Sequence, residues 1–156
     1  MRTNRLALTL AGAAGAVAML AAPTQASAAP AGATNRTTTT ETCSSTRLQS
    51  GLMTWLCAEV TGSDVQLVGW INLAGPPSPG GPYPQPRNLW TALSGQVVGG
   101  ASLGSDSKWT WFDLGMTDVR GVGGTVACGS TVRGSFGVTD PGWGPNPVTV
   151  DVVVPC

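Results

Sequence analysis

From Cys43 onward the chain carries no apolar stripe at helical spacing; short β-branched and aromatic runs alternate instead with clusters of Gly, Pro, Ser and Asp. Such punctuation specifies strands joined by tight turns. The candidate strands are 44–49, 52–61, 64–73, 89–98, 107–114, 124–129, 131–138 and 148–154, and the turns Thr61-Gly62-Ser63, Gly99-Gly100 and Gly129-Ser130 make hairpins of several of them. No internal repeat interrupts the series. Strands this short and this closely spaced predict an all-β domain in which two sheets pack face to face, with a small closed barrel as second choice.

A different kind of segment precedes that domain. Residues 1–28 set Arg2 and Arg5 before an apolar run from Leu6 to Ala22, followed by Pro23 and the small triplet Ala26-Ser27-Ala28. Basic, apolar, then small is the order of a secretory signal peptide, cleaved so that the mature chain begins near Ala29. No later stretch approaches the roughly 20 apolar residues of a membrane span. Residues 29–42, APAGATNRTTTTET, have no apolar period and read as a flexible Thr-rich arm ahead of a single β domain at 43–156. Threonine favours extended backbone, so this arm is suited to pair with a partner's sheet edge, or to serve simply as a spacer. Asn35-Arg36-Thr37 also matches a glycosylation sequon.

Cys43, Cys57, Cys128 and Cys156 are the four cysteines. An even number in an exported chain reads as disulfides, and the lack of CxxC spacing argues against a metal or redox site. Of the three connectivities, Cys43–Cys57 with Cys128–Cys156 is favoured, because it closes two short loops, each worth on the order of 3 kcal/mol. Strand alternation agrees for the second pair: Val126 shares a face with Cys128, and Val148, Val150, Val152 and Val154 share one with Cys156. The expected fold is therefore a small disulfide-stapled β-sandwich, immunoglobulin-like in general architecture.

Charge and composition remove whole classes of chemistry. Without Arg2 and Arg5, six basic residues face eight acids, a formal charge of −2, and Lys108 is the only lysine. Nucleic acid is thereby excluded as a partner, since it demands clustered Lys and Arg. There is no histidine, which rules out Ser-His-Asp and Cys-His nucleophile systems and the commonest zinc ligand together. What remains for catalysis is a scatter of carboxylates: Glu41, Glu59, Asp64, Asp106, Asp113, Asp118, Asp140 and Asp151. Two facing carboxylates suffice for glycoside hydrolysis, but no catalytic motif groups these, and no run spaces them as calcium-loop ligands. A non-enzyme without metal or cofactor is expected.

Aromatic residues then carry the functional argument. In the strand DVQLVGWINL, Val65, Leu67, Ile71 and Leu73 share the inner face, leaving Trp70 on the wetter one with Asp64, Gln66, Val68 and Asn72. Strand 131–138 likewise turns Val132, Phe136 and Val138 inward and Arg133 and Ser135 outward. In KWTWFDLG, Trp109 and Trp111 share a face with Asp113 and oppose Phe112. Neither face is cleanly apolar. Because only two phenylalanines are present, Trp109 and Trp111 are expected to fill the core. The loop GPPSPGGPYPQPRN at 75–88 surrounds Tyr83 with stiffening prolines and ends beside Arg87; TDPGWGPNP at 139–147 sets Trp143 between glycines. Such loops either cover sheet edges or bind partners, and Tyr83, Arg87, Trp143 and Trp70 are the candidate partner-binding residues.

The cysteine plan, a short first loop and a second closing at the C-terminus, resembles that of the tendamistat-type α-amylase inhibitors. That family binds through a Trp-Arg-Tyr triplet in its first disulfide loop; the loop here, SSTRLQSGLMTWL, has Trp55 and lacks the triplet. The signal peptide, Thr-rich arm and compact two-disulfide domain also resemble the small adaptor subunits of bacterial umbrella-toxin particles, whose arm docks into a lectin-like partner. The leading expectation is a secreted, extracellular, non-catalytic binding or adaptor module that engages another secreted or cell-surface protein, as in a toxin-like assembly. Inhibition of an extracellular hydrolase is one alternative. A glycan-binding module, with Trp70, Trp109 or Trp143 stacking on sugar rings, is the other.

Overall fold

The computed structural model describes residues 38–76, 79–142, 144 and 146–156. The expected signal peptide at 1–28, the expected arm up to residue 37 with its sequon, and Trp143 lie outside them. Among the described residues there are nine strands and no helix: β1 Thr39–Cys43, β2 Arg47–Gln49, β3 Leu52–Thr61, β4 Asp64–Leu73, β5 Arg87–Val97, β6 Ser102–Phe112, β7 Thr117–Thr125, β8 Thr131–Thr139 and β9 Val148–Val153. They form two antiparallel sheets, β1-β3-β4-β7 with β2 also on β3, and β6-β5-β8-β9. The protein is a small β-sandwich, and neither sheet closes into a barrel.

Turn chemistry sets the hairpins. Ser50 and Gly51 both take positive φ, 52° and 74°, which makes the two-residue turn between β2 and β3 twist with its strands. β3 and β4 have the expected bounds, and Thr61 lies opposite Asp64 across the Gly62-Ser63 turn. Elsewhere the bounds differ. The strand expected at 124–129 is replaced by β7, whose sequence TDVRGVGGT is too rich in glycine to announce a strand. Thr39 to Thr42, assigned from sequence to the flexible arm, are paired in β1, with Thr39 opposite Thr61 and Cys43 opposite Cys57. The threonines thus extend the chain's own sheet.

Both disulfides follow the sequential plan. Cys43–Cys57 joins directly opposed residues of β1 and β3, with Cα atoms 4.0 Å apart. Ser44 N–H donates to Leu56 O at 2.8 Å, so the adjoining cysteine pair is a non-hydrogen-bonded rung, the narrower kind. Cys128–Cys156, at 5.0 Å, fastens the segment after β7 to the residues that follow β9.

The core lies between the inner faces. Leu52, Leu56, Val60, Val65, Leu67, Ile71, Val119 and Val122 meet Leu89, Leu93, Phe112, Val132, Phe136, Val148 and Val150. Glycines make room for the larger members: a Cβ at Gly69 would stand 2.5 Å from the Phe136 ring, and one at Gly95 2.7 Å from Leu67. A buried polar link also crosses between the sheets. Gln49 Nε2 donates to Thr54 Oγ1 at 2.7 Å, and Val138 N–H donates to Gln49 Oε1 at 2.9 Å, tying β2 to β8.

Trp109 and Trp111 take no part in this core, contrary to the expectation from sequence. Phe112 is fully buried, and strand alternation then turns both tryptophans to the outer face of β6. Leucine and valine supply the volume that the two rings were expected to fill.

Candidate functional site

The outer face of the β6-β5-β8-β9 sheet is ordered in rungs. Trp111 of β6 lies opposite Asn88 of β5, and one rung on, Trp109 lies opposite Trp90, which lies opposite Thr139 of β8. The next rung is small, Ser107, Ala92 and Gly137; the one after it is hydroxylic, Ser105, Ser94, Ser135 and Thr149. Gln96, Arg133 and Asp151 close the series. All these side chains share one face because each is an even number of residues from the next on its strand.

Three indoles therefore stand in water on a single surface. Trp109 is 61% exposed, Trp111 58% and Trp90 39%. Trp90 and Trp109 meet edge to face, with centroids 5.3 Å apart and planes at 71°. Beyond the small rung the surface dips into an open depression of about 260 Å³, lined by Ser94, Gln96, Ser102, Ser105, Arg133, Ser135 and Thr149.

Charge is cancelled at this end. Arg133 grips Asp151 with two parallel hydrogen bonds, Nε to Oδ1 at 2.8 Å and Nη2 to Oδ2 at 2.7 Å. The guanidinium holds the Asp151 carboxyl below its ordinary value, and the carboxylate in turn raises that of Arg133. The rest of the depression offers hydroxyls, an amide and backbone, a donor and acceptor set without net charge.

Of the sequence-predicted residues, Trp70, Arg87 and Tyr83 do not assemble here. Trp70 lies on the outer face of the other sheet, half-buried and stacked on its cross-strand partner Trp55, with planes 11° apart and centroids at 5.9 Å. That face is further occupied by Arg120, which donates to Glu59 at 3.0 and 3.1 Å and to Asp118 at 2.8 Å. Arg87 serves the framework: Nη2 donates to Ser50 O at 3.1 Å, and Nε sits 3.0 Å from Asp140 Oδ2 without hydrogen-bond alignment. Tyr83 is 67% exposed on the proline-rich loop that leads into β5. Trp90 was missed in the sequence, although RNLWTALSGQV alternates plainly, with Leu89, Thr91 and Leu93 inward and Trp90 among the polar partners.

The carboxylates are spread through ion pairs and turns. Asp106 takes Lys108 at 2.7 Å, Asp64 accepts from Thr125 Oγ1 at 2.6 Å, and Asp113 accepts from Gly115 N–H at 3.0 Å. Glu41 lies near Cys43 and Cys57, but both sulfurs are committed to their disulfide. Among the described residues no helix is long and apolar enough to cross a membrane. Comparison with known proteins finds no matching family model, no matching curated protein and no matching solved structure.

Proposed function

We propose that the protein is a secreted, non-catalytic glycan-binding module, and that sugars stack on Trp90, Trp109 and Trp111. The observation that carries this reading is the exposure of three tryptophans on one sheet face beside a hydroxyl-lined depression. Contiguous exposed aromatic surface marks an interaction site on a soluble domain. A pyranose ring has an apolar face of C–H groups that suits an electron-rich indole, and a rim of hydroxyls that suits serine, threonine and glutamine. Two disulfides are consistent with an oxidising, extracellular setting. The dispersal of carboxylates into ion pairs supports a binding rather than a hydrolytic role.

Tryptophan fluorescence of the mature protein, titrated with a panel of plant and cell-wall polysaccharides, tests the proposal. The emission shifts with at least one polymer, and Trp109→Ala abolishes the shift. Unchanged spectra across the whole panel would overturn it.

An adaptor role toward another secreted or cell-surface protein is the second reading, favoured by the exposure of Tyr83 on a proline-stiffened loop. Tyrosine and tryptophan dominate protein-binding hot spots. Pull-down from producer culture fluid separates the two: a stoichiometric protein partner lost with Tyr83→Ala, and not displaced by any glycan, establishes the adaptor.

A further inference from the structure

We infer that the ligand of this face is a single, extended, uncharged glycan chain, held along the strand direction from Trp111 to the hydroxylic depression, and not the flat surface of a crystalline polymer. The inference rests on the glycan-binding reading above and deepens it.

The ring geometry carries the first half. Two planes inclined at 71° cannot both lie against one flat surface, so Trp90 and Trp109 together do not form a planar platform. They present faces in two directions, which suits a chain whose successive sugars are rotated about its axis. The second half comes from the rungs. Ser105 and Trp111 are six residues apart on β6, about 20 Å of strand, and every outward side chain between them belongs to this face. The aromatic and hydroxylic parts are thus two stretches of one track, joined by the small rung of Ser107, Ala92 and Gly137. No bulky side chain in that rung blocks passage from the rings to the depression. The depression is open, so a chain can continue past it.

Neutrality follows from the partners. The one guanidinium at the depression is neutralised by Asp151 through two parallel hydrogen bonds, so the lining meets the ligand with hydroxyls, an amide and the remaining guanidinium N–H donors but no net charge. An anionic chain finds no free cation among these lining residues. Binding should accordingly be indifferent to salt.

The test uses the mature protein with cello-, xylo- and manno-oligosaccharides from disaccharide to hexasaccharide, read by calorimetry, beside soluble hydroxyethyl cellulose and galactomannan, polygalacturonate, and insoluble microcrystalline cellulose and chitin. In one neutral series affinity rises from disaccharide to hexasaccharide. Ser94→Leu, which fills the exposed depression, and Ser105→Ala, which removes one hydroxyl, lower hexasaccharide affinity about tenfold, the worth of a well-made hydrogen bond, while leaving the disaccharide unchanged. Trp109→Ala abolishes binding of both lengths. Equal affinity for short and long oligomers, capture by crystalline polymer without competition from soluble chains, or a preference for polygalacturonate would each overturn this inference. In all three cases sensitivity to Trp109→Ala leaves the glycan-binding reading standing. Failure of every sugar to bind overturns both.

Discussion

Trp109 and Phe112 lie three residues apart on one strand and face opposite environments, which gives the sharpest residue-scale test. Phe112→Ala removes a fully buried ring and should cost about 3–5 kcal/mol in urea unfolding. Trp109→Ala and Trp111→Ala give up exposed rings and, for Trp109, one edge contact, so each should change stability by no more than about 1 kcal/mol while removing the proposed glycan binding. A collapse of folding in either tryptophan variant would place those rings in the framework and not in a site. Asp151 offers a second test, by pH. Its pKa is lowered by Arg133, so the pair's contribution is present above the ordinary carboxylate value and is lost only as pH falls through the lowered one. Carboxyl-carbon NMR should show Asp151 titrating below 3.8, and Arg133→Gln should return it toward that value. The alternation that decides all of this is visible in KWTWF, yet its direction is not. Both faces of the strand mix aromatic and polar residues, so only packing against the opposite sheet tells which is inside.

At the scale of elements, β1 shows how a polar segment becomes a strand. Its threonines favour extended backbone but bury almost nothing, and the strand persists because Cys43 is bonded to Cys57 and because β3 offers an unpaired edge. Replacing both cysteines with serine should destabilise the domain by about 3 kcal/mol in the chain-entropy model. Hydrogen exchange is expected to localise the effect: the amides of β1 lose protection first, while those of β3 and β4 keep theirs. Uniform loss across the sheet would show that β1 is integral to the cooperative core. β3 and β4 were legible to the residue because apolar alternation and a tight turn coincide there. β7 was not, since three glycines remove the β-branched signal and the strand is held by its neighbour β4.

For the whole molecule, the spacing of the two sheets depends on glycine opposite bulk. Gly69 of β4 faces Phe136 of β8, so the ring lies almost on the backbone of the other sheet. Gly69→Ala drives a methyl group into that ring and should destabilise by about 1–3 kcal/mol, measured by thermal unfolding, because neither sheet can withdraw without opening the rest of the core. Phe136→Leu in the same chain should recover part of the loss by making room. If Gly69→Ala alone is silent, the sheets are more loosely coupled than this contact implies.

The amino-acid sequence by itself determined the all-β class and put the two-layer packing and the sequential disulfide pairing first among their alternatives, since each depends on local alternation, turn residues or short loop closure. It also holds no histidine and a single lysine, so histidine chemistry has no residue to run on. Tertiary structure alone decided that Trp109 and Trp111 face water and which residues share a surface. Trp90 and Trp109 are nineteen residues apart and meet only because β5 and β6 pair in one register; Ser94, Ser135 and Thr149 come from three strands and become one depression only when those strands lie side by side. A strand's period says that two faces exist, but the choice between core and solvent is made by what packs against them, and that information is spread over the whole chain.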